Sequence, residues 1–347
     1  MNRLERVRQI VDGILLSQED IEERRCGYVH LYGVSALAAL LATKRGLDAD
    51  IACTAAMLHD IYSYRTHLTA NHAHNSEEDA RVILRDLGLF SDEEQRLIRS
   101  AIFHHSDKKR IDQPYDELVK DADVFQHYLY NTNFPLKEHA ASHNVRNELT
   151  RLKAIHTELG LPFKPVVVPA AVAMQEEPSM DKRAKLADIA EALAAKPLAG
   201  DQNKSGPDVF PIIRYFPGAT PDQGFDWCAA FVYHCCMQAG LILPIKYPDP
   251  VPCRFAGVPA WQIWAQLPQT GFYHPAGVNG FVPQRGDIVV YDAIVSEAPH
   301  DHIGVVLAYM DCELTTAEGN VNNRSGIFQR DAVKNVNGYI RIDNHYQ

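Results

Sequence analysis

One cysteine, one histidine and one carboxylate in the second half of the sequence could together support nucleophilic catalysis. Cys228 lies in FDWCAAFVYHCCMQAG, where a loop is predicted to end and an apolar helix to begin, and the positive end of a helix dipole favours a thiolate. His302 opens the predicted strand HIGVVLAY, and the next predicted strand ends in Glu318 and Asn320. Because hairpin strands place their side chains beside one another, either of these two residues could orient the imidazole. A thiolate, a base and an orienting group are the parts of a cysteine hydrolase.

In the first half, histidines and aspartates recur at positions that could bind a metal ion. His30 is predicted to begin one helix, and the pair His59-Asp60 to lie near the end of another. Neighbouring helical residues point about 100° apart, so the pair could straddle an ion while His30 approaches it from outside. An aspartate in KDADVFQ completes a set of four. Two imidazoles and two carboxylates suit Mn, Mg, Zn, Ni or Co and leave positions for water and a phosphate oxygen.

The histidines and aspartates of the first half must be positioned by helices, because residues 1–160 are predicted to be all-α. Apolar residues recur there every three or four positions, as in VSALAALLATKRGLDADIACTAAMLHDIY. Ser76 and Ser91 are each followed by acidic residues, which predicts a helix start at both, and Gly88 predicts a helix end.

The set of Cys228, His302, Glu318 and Asn320 is predicted to lie in an α+β domain at residues 181–347. Four prolines in PFKPVVVPAAVAMQEEPSM oppose a regular helix or a central strand, so residues 161–180 are predicted to be a linker. Beyond it come the helical pattern DKRAKLADIAEALAA, the helix near Cys228, and the predicted strands GDIVVYD, HIGVVLAY and ELTTAEGN. Helices followed by a later antiparallel sheet indicate an α+β fold.

Composition narrows the classes of function. A chain of 347 residues with 46% hydrophobic and 22% charged residues is typical of a globular protein of two domains. A net charge of -10 argues against an extended nucleic-acid surface. No run approaches the roughly 18 to 20 apolar residues of a membrane span, so no membrane partner is expected. Seven scattered cysteines and no visible export signal favour the cytoplasm, and the oligomeric state is left open.

The second half also resembles a known family. WCAAFV, RGDIVVYD, DHIGVV and TAEGNVNN follow the order found in CHAP-domain amidohydrolases and peptidases, a branch of the papain-like NlpC/P60 superfamily. The resemblance covers roughly residues 181 to 347 and implies a papain-like fold with an antiparallel sheet and no cofactor. It implies that Cys228 is the nucleophile, His302 the general base, Glu318 the orienting acid and Asn320 a further polar support. Its expected substrate is a small-molecule or peptide amide, such as a peptidoglycan stem peptide or a glutathionylspermidine-like compound.

The first half, over roughly residues 20 to 135, resembles the HD superfamily of metal-dependent phosphohydrolases. The resemblance rests on an ordered set of motifs: His30, His59-Asp60, His74, His104-His105-Ser106 and Asp121-Ala122-Asp123. It implies that a divalent ion is bound by His30, His59, Asp60 and Asp123, with Asp121 as the alternative to the last. His74 and His105 could bind a second ion or contact the phosphate of a nucleotide-like ester. Val124 stands where the family often has an arginine.

Together the two halves predict a bifunctional hydrolase, with an amidase or peptidase site and a phosphohydrolase site. Two other interpretations stay open at this point. In one, the helical domain binds a nucleotide without cleaving it and controls the amidase. In the other, both halves bind a partner and catalyse nothing.

Overall fold

The computed structural model describes residues 2–132, 136–138, 148–164, 167–169, 181–277 and 280–346. It divides into two compact units, Met1–Gln175 and Glu176–Gln347, and each is described by itself. Most of the predicted linker at residues 161–180 lies outside the described residues.

The first unit is helical, as predicted, with one short strand pair. Its helices are α1 (Arg3–Leu16), α2 (Ile21–Arg45), α3 (Ala49–Leu58), α4 (Ile61–Thr66), α5 (His72–Leu87), α6 (Asp92–His104), α7 (Pro114–Tyr130) and α8 (Glu148–Leu159). Strands β1 (Leu136–Glu138) and β2 (Val167–Pro169) pair in parallel. That pairing joins segments about thirty residues apart, so no local pattern could predict it.

Helix ends in this unit follow local capping chemistry in some places and tertiary packing in others. Ser91 caps α6 in a capping box with Glu94, and Gly88 ends α5 at a φ of 60°, both as predicted. The predicted start at Ser76 is wrong, because α5 begins four residues earlier at His72. Ser76 is instead buried inside α5, where its hydroxyl accepts a hydrogen bond from the backbone N–H of Tyr62.

His30 also differs from its predicted place at a helix start. Helix α2 begins nine residues earlier, because the Asp20 carboxylate accepts hydrogen bonds from the N–H groups of Glu22 and Glu23. His30 therefore lies within the helix, on its buried face. This face packs against α3 and α7, which places His30 in the centre of the unit.

Helix α2 also bears on the expectation that no segment could span a membrane. Of the helices in the described part of the chain, α2 is the one that is long and apolar enough to do so, with a mean hydropathy of 1.4 over 18 residues. Length and composition are weak evidence, since the core helix of a bundle meets the same criterion. Here 44% of that stretch is buried within the protein.

The second unit has helices beside a six-stranded antiparallel sheet, which confirms the predicted α+β class. Its helices are α9 (Lys182–Ala195), α10 (Phe210–Ile213), α11 (Cys228–Ala239) and α12 (Val258–Gln266). The strands are β3 (Tyr273–Pro275), β4 (Ile288–Tyr291), β5 (His302–Met310), β6 (Glu313–Val321), β7 (Arg324–Asp331) and β8 (Val336–Ile340). Their order across the sheet is β3-β8-β4-β5-β6-β7. Helix α11 packs on β5 and β6, so the start of one helix meets two neighbouring strands.

Two candidate active sites

Cys228 is the first residue of helix α11 and is almost completely buried. The residue before it, Trp227, provides no side-chain hydrogen bond to cap the helix. The first N–H groups of a helix have no partner inside it, so the positive end of α11 lies beside the thiol. Cys228 Sγ thus lies beside backbone N–H groups that have no partner within the helix.

His302, the first residue of β5, is 1% exposed and lies between a thiol and a carboxylate. Its Nε2 lies 2.9 Å from Glu318 Oε2, and Cys228 is its other hydrogen-bonding partner. Because Nε2 faces Glu318, Nδ1 is the ring nitrogen left for the thiol. Burial by itself would lower the pKa of His302, but the hydrogen bonds and charges of Cys228 and Glu318 outweigh burial and raise it to about 9.

Glu318 is fully buried, and every one of its hydrogen bonds favours the ionised form. Its Oε1 accepts from Thr316 Oγ1 at 2.6 Å and from Arg330 Nε at 3.0 Å, and its Oε2 accepts from Arg330 Nη2 at 2.6 Å. Burial would raise the pKa of this carboxyl, but the hydrogen bonds of His302 and Arg330 lower it to about 2. Glu318 is thus a carboxylate throughout the physiological range.

The sheet makes room for this carboxylate by placing a glycine on each side of it. Glu318 pairs directly with Gly304 on β5 and with Gly326 on β7. A Cβ atom at Gly304 would lie 2.8 Å from Glu318 Cγ, closer than real Cβ contacts allow. The space beside Glu318 is filled instead by His302 from one neighbouring strand and Arg330 from the other.

Asn320 lies beside the loop that precedes Cys228, and its expected role as a further polar support of the site stays a prediction. Its side chain donates from Nδ2 to Asp226 Oδ1 at 2.9 Å, and Asp226 is also paired with Lys204. Within the described residues, Glu318 and not Asn320 contacts the imidazole. Asn320 therefore ties the end of β6 to the loop that precedes Cys228.

In the helical unit, four predicted ligands meet at one point. His30 comes from α2, His59 follows α3, Asp60 precedes α4, and Asp123 lies in α7. His30 Nε2 lies 3.0 Å from His59 Nε2, 3.5 Å from Asp60 Oδ2 and 3.6 Å from Asp123 Oδ1. His59 Nε2 lies 3.7 and 3.8 Å from the same two oxygens. Ligands of one ion at bond lengths of about 2.1 Å show separations of this size.

A second group of possible ligands shares Asp60 with the first. Asp60 Oδ1, the other carboxylate oxygen, lies 3.1 Å from His105 Nε2 and 3.4 Å from His72 Nε2. The two imidazole nitrogens are 3.2 Å apart. Asp60 thus faces one group with each oxygen and could provide a ligand atom to each.

His72 takes the place for which His74 was proposed from the sequence. Residues two apart on a helix point about 200° apart, so only one of the pair can face the cluster. His74 is on the outer side of α5, where its ring stacks on Phe103 at a centroid distance of 4.0 Å. Which of the two faced inward depended on the packing of α5, and the motif alone did not specify it.

The protonation pattern of the imidazoles fits a metal. In His59, His72 and His105, Nδ1 lies 2.7 to 2.8 Å from a backbone carbonyl oxygen, and in His30 it lies 2.9 Å from Gln126 Oε1. Because a carbonyl oxygen can only accept, each Nδ1 carries the proton and each Nε2 turns a lone pair toward the cluster. Within the described residues, the buried oxygens Asp60 Oδ1 and Asp123 Oδ1 accept no hydrogen bond. Convergent lone pairs without donors are what a cation would complete.

Asp121 is the last of the predicted residues, and Lys108 lies beside the cluster that Asp121 does not join. Asp121 pairs with Arg45 and with the buried Arg151, each at 2.8 Å, and lies outside both groups. Lys108 Nζ pairs with Asp123 Oδ2, which places a positive charge beside the cluster.

A cavity of about 430 Å³ opens beside Asp60 and His72. Glu22, Glu23 and Tyr64 are among the residues that line it. Its volume is that of a site for a small molecule.

Comparison with known proteins assigns a class to each unit. The family model for the HD domain matches residues 27–128, and that for the CHAP domain matches residues 220–320. The chain is thus a hydrolase built from two domains. It contains an HD domain in its first unit and a CHAP domain in its second.

A similar solved structure is a crystal structure described as a "predicted HD superfamily hydrolase" from an uncultured Thermotogales bacterium. It is 20% identical, covers 44% of this chain and 88% of its own, and has a TM-score of 0.30. No curated protein matches the chain.

Proposed function

We propose that the CHAP domain is a cysteine amidase or peptidase in which Cys228, His302 and Glu318 act together. The observation that carries the proposal is the buried imidazole of His302, which has a thiol on one side and an ionised carboxylate on the other. This is the minimum set for forming a thiolate at neutral pH.

In the proposed reaction, the Cys228 thiolate attacks the amide carbonyl carbon while the first N–H groups of α11 face the developing oxyanion. His302 donates its proton to the leaving nitrogen as the carbon–nitrogen bond breaks. Water then attacks the thioester, His302 takes a proton from it, and the acid leaves as the carbon–sulfur bond breaks. Glu318 holds the imidazole in the required tautomer throughout.

The test is release of amine from a panel of amides, including stem peptides and glutathionylspermidine-like compounds. Cys228→Ala should abolish release. Cys235→Ala is the matched control, because this thiol is also buried in α11 but lies two turns from the site, and it should retain activity. Undiminished release by Cys228→Ala would overturn the thiol mechanism.

We further propose that the HD domain is a metal-dependent phosphohydrolase acting on a nucleotide-like ester. His30, His59, Asp60 and Asp123 would hold one divalent ion, and Asp60, His72 and His105 a second. The four converging Nε2 lone pairs support this proposal. A bound divalent ion activates water and neutralises phosphate oxygens, and Lys108 adds positive charge at the same place.

Metal content and phosphate release together test this second proposal. Asp60→Asn should lower the metal bound per chain and abolish phosphate release from nucleotide esters. Asp121→Asn, in which the altered residue lies outside both groups, should keep both, provided that its melting curve shows a folded protein. Metal binding without phosphate release would remove the catalytic role. If nucleotide then altered the amidase rate, the HD domain would be regulatory.

We propose a cytoplasmic location. All seven cysteines lie in the described part of the chain and none forms a disulfide, as is usual in a reducing compartment. Cell fractionation tests this, and recovery of the protein outside the cytoplasmic fraction would contradict it.

A further inference from the structure

We propose that Arg330 is a positioning residue of the cysteine site, which holds the Glu318 carboxylate in the one orientation that aligns His302. The inference rests on the proposed amidase function. No sequence motif singled out Arg330, because it lies on β7, a strand that the sequence patterns did not predict.

The contact between Arg330 and Glu318 is a two-point fork. Nε of Arg330 donates to Oε1 and Nη2 donates to Oε2, so both carboxylate oxygens are held at once. A planar guanidinium paired in this way fixes the plane of the carboxylate, which a single donor cannot do. Without Arg330, each oxygen would keep a single partner, Thr316 on Oε1 and the His302 ring itself on Oε2.

The pairing of β6 with β7 explains why the side chain of Arg330 reaches the Glu318 carboxylate. Gly326 stands directly opposite Glu318 and has no side chain, and the ring of Phe328 lies 3.0 Å from where its Cβ atom would be. Arg330 lies four residues along the same face of β7 and extends over Phe328, with its guanidinium carbon 5.0 Å from the ring centroid. The ring centroid of Tyr291, which stacks on His302, lies 6.0 Å from the same carbon. Both aromatic rings thus lie within cation–π distance of the guanidinium that binds Glu318.

One oxygen connects the arginine to the catalytic histidine. Oε2 of Glu318 lies 2.6 Å from Arg330 Nη2 and 2.9 Å from His302 Nε2. A turn of the carboxylate would therefore break both contacts together.

The same domain offers a matched arginine that does not touch this site. Arg341 donates from Nε to Asp287 Oδ1 at 2.8 Å and from Nη2 to Asp287 Oδ2 at 2.6 Å. Both carboxylates are fully buried, and the arginine side chains are 23% exposed at Arg330 and 26% at Arg341. In the described contacts, Asp287 bonds neither His302 nor Cys228. Loss of either fork should therefore cost similar stability, but only one should disturb the site.

The first readout is the alkylation of Cys228 by iodoacetamide as a function of pH in the full chain, which needs no substrate. Peptide mass spectrometry separates Cys228 from the exposed Cys26 and Cys312. Arg330→Gln should slow alkylation near neutral pH and shift its pH profile, whereas Arg341→Gln should leave the profile unchanged. Arg330→Lys should restore the profile in part, because it keeps the charge but loses the fork. Identical profiles for wild type, Arg330→Gln and Arg330→Lys would overturn the proposal.

The second readout is steady-state cleavage of an amide that the wild type accepts. Arg330→Gln should lower kcat roughly 10- to 100-fold with KM almost unchanged, as expected when a reacting group is misaligned. If Arg341→Gln lowered kcat by the same factor, the effect of Arg330→Gln would be explained by lost stability and not by the positioning of Glu318. If the wild type and Cys228→Ala release amine equally, the amidase proposal fails instead, and the alkylation profile still decides whether Arg330 positions His302.

Discussion

Replacing Glu318 by glutamine should separate the charge of the carboxylate from its shape. The side chains are nearly isosteric, so packing beside Gly304 and Gly326 is kept. Arg330 donates to both oxygens of Glu318, but glutamine has only one oxygen, so one donor would face an NH2 group. The variant should lose about 1 to 3 kcal/mol of unfolding free energy, the usual cost of an unsatisfied buried donor.

The larger effect should be on His302. Its pKa rises from the ordinary 6.5 to about 9 because Cys228 and Glu318 outweigh the effect of burial. One pKa unit corresponds to about 1.4 kcal/mol, so roughly 3 kcal/mol favours the imidazolium. Because the ring is 1% exposed, water provides little compensation when one partner is removed. The pKa of His302 in Glu318→Gln should therefore fall by about one unit or more, and kcat/KM should fall about 100- to 1000-fold.

The assay is the pH profile of kcat/KM between pH 5 and 10. In the wild type, activity should fall as the pH rises through about 9, where the imidazolium loses its proton. In Glu318→Gln this fall should begin at lower pH. Glu313→Gln is the control, since Glu313 is exposed at the other end of β6 and should give the wild-type profile. A Glu318→Gln profile that falls at the same pH as the wild type would refute the account of how His302 is held.

Three further results are expected. Gly304→Ala should lower kcat at least about tenfold while the domain stays folded, because the Cβ atom of the alanine would displace Glu318 Cγ. Wild-type kinetics in this variant would contradict the close packing of residue 304 against Glu318. Unfolding free energy should decline as pH rises through about 9, because the raised pKa of His302 gives a stabilisation that is complete below pH 6.5 and lost above pH 9. Denaturant titration should show a smaller decline in His302→Gln. An equal decline in the wild type and the variant would exclude His302 as its cause. Residues 181–347 expressed alone should fold and cleave the same amides, and insoluble or inactive protein would contradict the predicted domain boundary.

Much of the chemistry was predictable because it is carried by residue type and order. Cys228 and His302 were proposed from the start of a helix and the start of a strand. The resemblance to the CHAP family implied Glu318 rather than Asn320 as their partner, and the structure brings these three together. The strands β4, β5 and β6 and the cap at Ser91 were also predicted, since each depends on a pattern within a few residues.

Which residues contact one another in the two sites depends on the tertiary structure. Arg330 reaches Glu318 only because β7 pairs with β6 in the register that places Gly326 opposite the carboxylate. His72 rather than His74 faces Asp60, and Asp123 rather than Asp121 joins the cluster, because the packing of α5 and α7 decides which side of each helix turns inward. The sequence by itself determined which chemical groups were present and in what local structure. Which of them meet depends on contacts between residues far apart in the chain, and these form only when the helices and strands pack.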